Sequence, residues 1–395
     1  MTFSRIHLLC FSLVFLSQHV VLEAARTPKK TRQHPKKTRQ QKDYEIKQSL
    51  LKIYGKEPID KTLSSLKEKA KPAGERPLVP INGTDTAAKV RLVEKAKKVL
   101  EKHGELVQID KAAIRKEIEE FKKSKSEWEQ PPNWNFELPQ ALQSENSARL
   151  LDIANFLFVL NSTNYRYWFD SPAKNYPAWE QGSFSASEKL SRLYSAGRLP
   201  GLHLRPEEVK DYLRSAYMGM PAPNDRLNRL EAAADIEKFE KHLASAFKDG
   251  RWHFDTQFAR DLAQLYPKVF GNDPFLKRSQ LTTSMIAAVF YHRGEKVDLS
   301  VTAFADYRVP QLLRHMGILK YSTDLGKKVD NQEKLLSGKA EEVSIRAATI
   351  VAANMIAKEL GTTDANVDAA LFLLTRDPDF KEKAKPHHRT VTANY

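Results

Sequence analysis

Apolar residues recur at helical spacing through most of this 395-residue chain, and the strongest run, 150–168, is so apolar and aromatic that it reads as a buried helix. Helical patterns further predict helices at 185–196, 206–217, 224–248, 255–265, 274–290, 309–316, 340–360 and 366–374, while few segments alternate as strands do. The expected fold class is mainly α, with one helical domain over 141–395. Upstream the stripes are narrower. The stretch 85–103 carries Val90, Val93, Val99 and Leu100, and 110–125 carries Ile114, Ile118 and Phe121, with Gly104 as a natural stop between them. These charged helices are expected to lie on the main body or on a partner. Nearer the start, Ile46, Leu50, Leu51, Ile53, Leu63 and Leu66 suggest short amphipathic helices broken near Gly55 and Pro58. Residues 43–140 therefore read as a charged helical extension. A Pro-rich linker at 72–84 interrupts it and holds Asn82-Gly-Thr, a glycosylation sequon in an expected exposed loop.

The first 25 residues change the picture. Arg5 and His7 precede a mostly apolar run from Leu8 to Val21, and Ala24 and Ala25 follow it, which predicts a cleaved secretory signal over 1–25 and a secreted or lumenal protein. The run is short of the ~20 apolar residues that a membrane span requires, and nothing later approaches that length, so no transmembrane segment is expected. The single cysteine, Cys10, lies inside this signal, so the mature chain would have no cysteine nucleophile and no thiolate metal site.

Net charge is +15, and most of it is local: residues 26–130 hold 28 Lys plus Arg against 16 Asp plus Glu, a surplus of 12. Within them, Thr27-Pro-Lys-Lys-Thr-Arg-Gln33 repeats as His34-Pro-Lys-Lys-Thr-Arg-Gln40, which makes 26–42 a disordered basic arm. Such an arm can hold RNA or another polyanion by neutralising its charge, or it can be a solvated tail.

Five stretches in order resemble the queuosine salvage family across about 145–395. They are Asn155-Phe-Leu-Phe-Val-Leu with Asn164-Tyr-Arg-Tyr-Trp168; Leu276-Lys-Arg-Ser-Gln280; Phe304-Ala-Asp-Tyr-Arg-Val-Pro-Gln311 and its continuation to Gly317; Glu342-Val-Ser-Ile-Arg-Ala-Ala-Thr349; and His387-His-Arg-Thr390. The resemblance implies a helical fold akin to the helix-hairpin-helix DNA glycosylases. It also implies hydrolysis of the N-glycosidic bond of queuosine 5'-phosphate, releasing queuine, with no metal or organic cofactor.

That chemistry passes through an oxocarbenium-like ribose, so it needs a carboxylate near the anomeric carbon and a group that handles protons. Asp306, between Phe304 and Tyr307, is the first candidate, although an Asp here would equally cap the helix that starts near Val309. Asp368 is the second, matching an aspartate of a late family helix; a first-turn acid favoured by the helix dipole is the plainer account. Lys277 matches a family lysine about thirty residues before the Phe-Ala-Asp motif, where a surface lysine is the plainer account. Phe304, Tyr307, Arg308, Gln311 and Asn164 are candidate contacts to base and phosphate, as are His388 and Arg389 near the terminus, beside His387. Glu342 and Arg346, four apart, read as an ion pair on one helix face. Two positions depart from the family pattern, Asn161 and Ser284-Met285, where acids are expected. They motivate an alternative: a catalytically impaired relative that binds a modified nucleoside, nucleic acid or polyanion.

Overall fold

The computed structural model describes residues 84–124, 130–143, 150–169, 183–195, 217 and 220–395. The expected signal, the basic arm, the sequon at Asn82 and all but the last residue of the helix at 206–217 lie outside them. The longer helices are α1 (Ala87–Lys102), α2 (Lys111–Phe121), α3 (Leu150–Ser162), α4 (Ser183–Ser195), α5 (Pro223–Ala232), α6 (Ile236–Ala244) and α7 (Thr256–Leu265). They continue with α8 (Lys277–His292), α9 (Arg308–His315), α10 (Thr323–Asp330), α11 (Ala340–Leu360) and α12 (Asp364–Leu374). The described residues are thus mainly helical, as the periodicity predicts. None of these helices is long and apolar enough to cross a membrane.

Two expected helices end differently. The apolar run at 150–168 is helical only to Ser162, and 164–169 is irregular, with Arg166 left-handed at φ 38°. The single helix expected at 224–248 is two, because Asp235 accepts from the Lys238 N–H and starts α6 afresh, and Phe247–Lys248 is a strand. Strands were nearly invisible to periodicity because they span only two to five residues each. Val107–Ile109 pairs antiparallel with Leu319–Tyr321, Arg251–Asp255 pairs with both Phe247–Lys248 and Val297–Ser300, and Lys334–Leu335 pairs in parallel with Arg389–Thr390.

The core forms around α8 and α11, whose residues are buried on nearly every side, Lys277 and Arg346 included. Helix α1 lies on α11, where Leu92, Val93 and Ala96 cluster with Ala347, Ile350 and Val351. Val90, placed on the buried stripe by the sequence pattern, is instead 44% exposed. The buried stripe is Ala88, Leu92, Val93 and Ala96, and it includes Lys89. The Lys89 ammonium lies 2.7 Å from Asp364 Oδ1 and 2.6 Å from Asp85 Oδ1. The extension helices therefore belong to one unit with the body, Ala70–Tyr395.

Burial raises the Asp364 carboxyl, and the Lys89 charge opposes that rise. Removing one partner of such a pair strands the other in low dielectric, at about 3–5 kcal/mol. Lys89→Ala should lower unfolding free energy by that order in urea titration, and Lys89→Met with Asp364→Asn should recover most of the loss. A Lys89→Ala protein as stable as wild type would show that α1 docks without this pair.

Candidate active site

Lys277, Asp306 and Asp368 come from three separate places in the chain and line one pocket. Lys277 opens α8 directly after Leu276, whose backbone is left-handed (φ 57°). Asp273 fixes that start: its Oδ2 accepts from Lys277 N at 2.7 Å and its Oδ1 from Phe275 N at 3.2 Å. The lysine side chain is 7% exposed, and its Nζ stands 3.5 Å from Asp306 Oδ2. Lys277 is therefore no surface lysine.

The two oxygens of Asp306 have different partners, and the N-cap of α9 is Tyr307 rather than Asp306. Oδ1 accepts from Arg308 N at 2.6 Å at the entry of α9, while Oδ2 faces Lys277. Two further bonds fix the backbone just before it. Asp368 Oδ1 accepts from Phe304 N at 2.8 Å, and Arg346 Nε donates to the Ala305 carbonyl at 2.9 Å. Residues 304–306 are thereby gripped by three helices.

Asp368 is not the first-turn acid expected. Helix α12 begins earlier, at Asp364 with Thr363 as its cap, so Asp368 sits one turn in and the dipole account passes to Asp364. Asp368 is 4% exposed, and its carboxyl is pushed up to about 7, first by burial and then by the neighbouring Asp306 charge, against the Phe304 bond and Lys277. A carboxyl titrating there can take or give a proton near neutral pH.

The remaining candidates divide. Phe304, Tyr307, Arg308 and Asn164 line the pocket. Tyr307 accepts from Tyr167 N at 3.2 Å, and Asn164 Nδ2 donates to Asn161 Oδ1 at 3.0 Å. Gln311, His388 and Arg389 do not line it. Gln311 Nε2 donates to the Lys385 carbonyl at 2.8 Å, and Arg389 lies over the Trp168 ring, 5.4 Å from its centre. The His388 ring is buried against the Tyr395 hydroxyl at 3.3 Å, and burial pushes its pKa down to about 3, so it is neutral at physiological pH. Glu342 and Arg346 do pair, at 3.2 Å, but inside the core rather than on a helix face.

The two departures turn out to be one local change, since Asn161 Nδ2 donates to Met285 Sδ at 3.4 Å. Asn161 is fully buried, so the Asn161-Ser-Thr163 glycosylation triplet that it opens is inaccessible. Sequence reasoning missed Trp134, Glu137 and Arg376, which line the pocket together with Arg166 and Phe372. Tyr165 and Tyr167 were within a quoted motif, and the aromatic stretch around Trp134 was the only signal for that segment.

A family model described as queuosine salvage protein matches residues 143–395. Among similar proteins, one from Sphaerobacter thermophilus named queuosine 5'-phosphate N-glycosylase/hydrolase is 26% identical over 334 residues, covering 77% of this chain and 95% of its own length. Proteins of the same name from Dictyostelium discoideum and Mus musculus are 26% and 29% identical. They cover 75% and 58% of this chain, and 95% and 74% of their own lengths.

The Asp368 shift makes a stability prediction with a definite sign. A carboxyl raised from 3.8 to about 7 on folding costs nothing below 3.8, and its cost grows as pH rises until it is complete above about 7. At 1.36 kcal/mol per pKa unit the ceiling is about 4 kcal/mol. Asp368→Asn should therefore raise the melting temperature at pH 8, with the gain shrinking as pH falls toward 4. A pH-independent difference would exclude a raised Asp368.

Proposed function

This chain belongs to the queuosine salvage protein family, and from that premise we propose that its pocket hydrolyses the N-glycosidic bond of queuosine 5'-phosphate and releases queuine. The observation that carries the assignment of residues is the convergence of Lys277, Asp306 and Asp368 on one pocket walled by Tyr165, Tyr167, Tyr307 and Phe372. The alternative of a purely binding relative gains nothing from the pocket, whose acids are in place despite the changes at Asn161 and Met285.

In the proposed reaction the bond between the anomeric carbon and the base nitrogen breaks with its electron pair going to the base, which takes up one proton from solvent, balanced by the one that water gives up to Asp368. Asp306, steadied by the Lys277 ammonium, sets negative charge beside the positive charge that develops on the ribose. Water forms the new bond to that carbon, and Asp368, poised near neutrality, accepts its proton. Arg308, two residues after Asp306, is a cation of the same pocket and suits the 5'-phosphate.

Two further features belong to the proposal. The helical body is of the helix-hairpin-helix glycosylase type, a likeness carried by the order of its motifs. Residues 1–25 act as a cleaved secretory signal, supported by their charge and apolar pattern. The amino-terminal sequence of protein secreted by expressing cells should then begin near Arg26, and retention of Met1 on it would exclude cleavage.

Purified protein given queuosine 5'-phosphate should release free queuine. Asp306→Asn should lower kcat by a factor on the order of 10³, the scale for losing one preorganised electrostatic contact in a dry site. Wild-type protein that releases no queuine where the Sphaerobacter relative does would sink the assignment. An Asp306→Asn protein of full activity would remove Asp306 from the reaction.

A further inference from the structure

Glu137 is a buried carboxylate that the reaction above does not use. It ends the short turn Trp134–Glu137, upstream of the residues matched by the family model, yet its side chain lines the same pocket. The residue is 3% exposed, and its Oε2 is buried with no hydrogen-bond partner among the described residues. A buried acceptor left this way is unfavourable until a donor arrives.

The turn is held in place from several sides. Ser187 Oγ donates to the Glu137 carbonyl at 2.5 Å, the His292 ring bonds the Pro131 carbonyl at 2.8 Å, and Arg293 Nη2 donates to the Leu142 carbonyl at 2.7 Å. Its anchors are thus the far end of α8, the helix that Lys277 opens. A carboxylate on so fixed a turn is preorganised, which suits recognition.

The two buried carboxyls of the pocket have different charged neighbours. Asp306 and Lys277 act on Asp368, whereas the charged group acting on Glu137 is Arg376. A nucleotide with its anomeric carbon at Asp306 must place either its phosphate or its base against the Glu137 wall. Phosphate would bring anionic oxygens to a carboxylate, while the base of queuosine, a 7-deazaguanine with a side-chain amine, presents N–H donors. Tyr167, whose hydroxyl is within the electrostatic reach of Glu137, adds an aromatic surface there.

We propose that Glu137 is a specificity-determining residue that accepts an N–H of the substrate base through Oε2. The proposal rests on the assignment of queuosine 5'-phosphate as substrate. Burial pushes the Glu137 carboxyl up to about 7, and a bound N–H donor favours its ionised form.

The test compares wild type with Glu137→Gln and Glu137→Ala in the full chain, using queuine and ribose 5-phosphate as separate calorimetric probes and queuosine 5'-phosphate for kinetics. Both variants should bind queuine at least tenfold more weakly and raise KM similarly, with kcat within threefold of wild type and ribose 5-phosphate affinity unchanged. Unchanged queuine affinity would overturn the proposal, as would a fall in kcat at constant KM, which would make Glu137 a proton donor instead. Parallel weakening of queuine and ribose 5-phosphate would also overturn it, since the pocket as a whole would then have collapsed. Queuine binding needs no turnover, so wild-type protein that binds queuine but releases none would sink the hydrolysis and leave Glu137 as the reader of the base.

Discussion

One buried guanidinium, that of Arg346, ties the site together. It donates to the Ala305 carbonyl just before Asp306, pairs at 2.8 Å with Asp273, which fixes the start of the Lys277 helix, pairs with Glu342 on its own helix, and lies over the Tyr395 ring at 4.4 Å. Burial alone would lower its pKa, but Asp273 and Glu342 outweigh that and hold it charged. The planar fork suits this role, because several donors at fixed angles can reach carbonyl and carboxylate partners at once and a lysine cannot. Both Lys277 and Asp306 take their positions from groups that Arg346 holds.

Two further buried guanidiniums shape the part of the wall that follows α3. Arg226 donates to the carbonyls of Pro221, Thr163, Tyr165 and Arg166, and Arg278 to those of Asn161, Ser162 and Val269. These bonds satisfy the carbonyls left open where α3 stops, which helps the chain leave the helix at Ser162 although its apolar character continues. The irregular segment that results brings Asn164, Tyr165, Arg166 and Tyr167 to the pocket. Arg226 also stacks against Tyr165 and Tyr167, at 4.2 and 5.1 Å, so both parts of the site share a device: a desolvated arginine that fixes backbone which a helix no longer can.

Such a site is costly to build. Asp368 and Glu137 are carboxyls whose burial lifts them toward neutrality, and a chain selected for stability alone would have apolar residues there. The same desolvation is what lets a carboxyl exchange protons near neutral pH and lets a single acceptor discriminate between ligands. Stability and chemistry pull in opposite directions at these two positions. The arginine clamps and the Lys89–Asp364 pair lie outside that conflict and hold the frame.

Much of this was legible in the chain itself. A mainly α body, the full extent of α11 at 340–360 and the starts of α1, α2 and α7 follow from periodicity and capping, because those are local properties of consecutive residues. Asp306, Lys277 and Asp368 were legible as pocket residues through motifs, although the cap of α9 fell to Tyr307. What only the tertiary structure decided is which side chains meet. Glu137 sits among aromatics and prolines with no pattern to mark it, Val90 turned outward while Lys89 turned in, and Gln311, His388 and Arg389 lie beyond the pocket their motifs suggested. The reason is physical: helix propensity and capping act within a turn or two, whereas desolvation of a carboxyl and convergence on a pocket depend on neighbours far along the chain, such as Phe304 and Asp368 or Asn161 and Arg278.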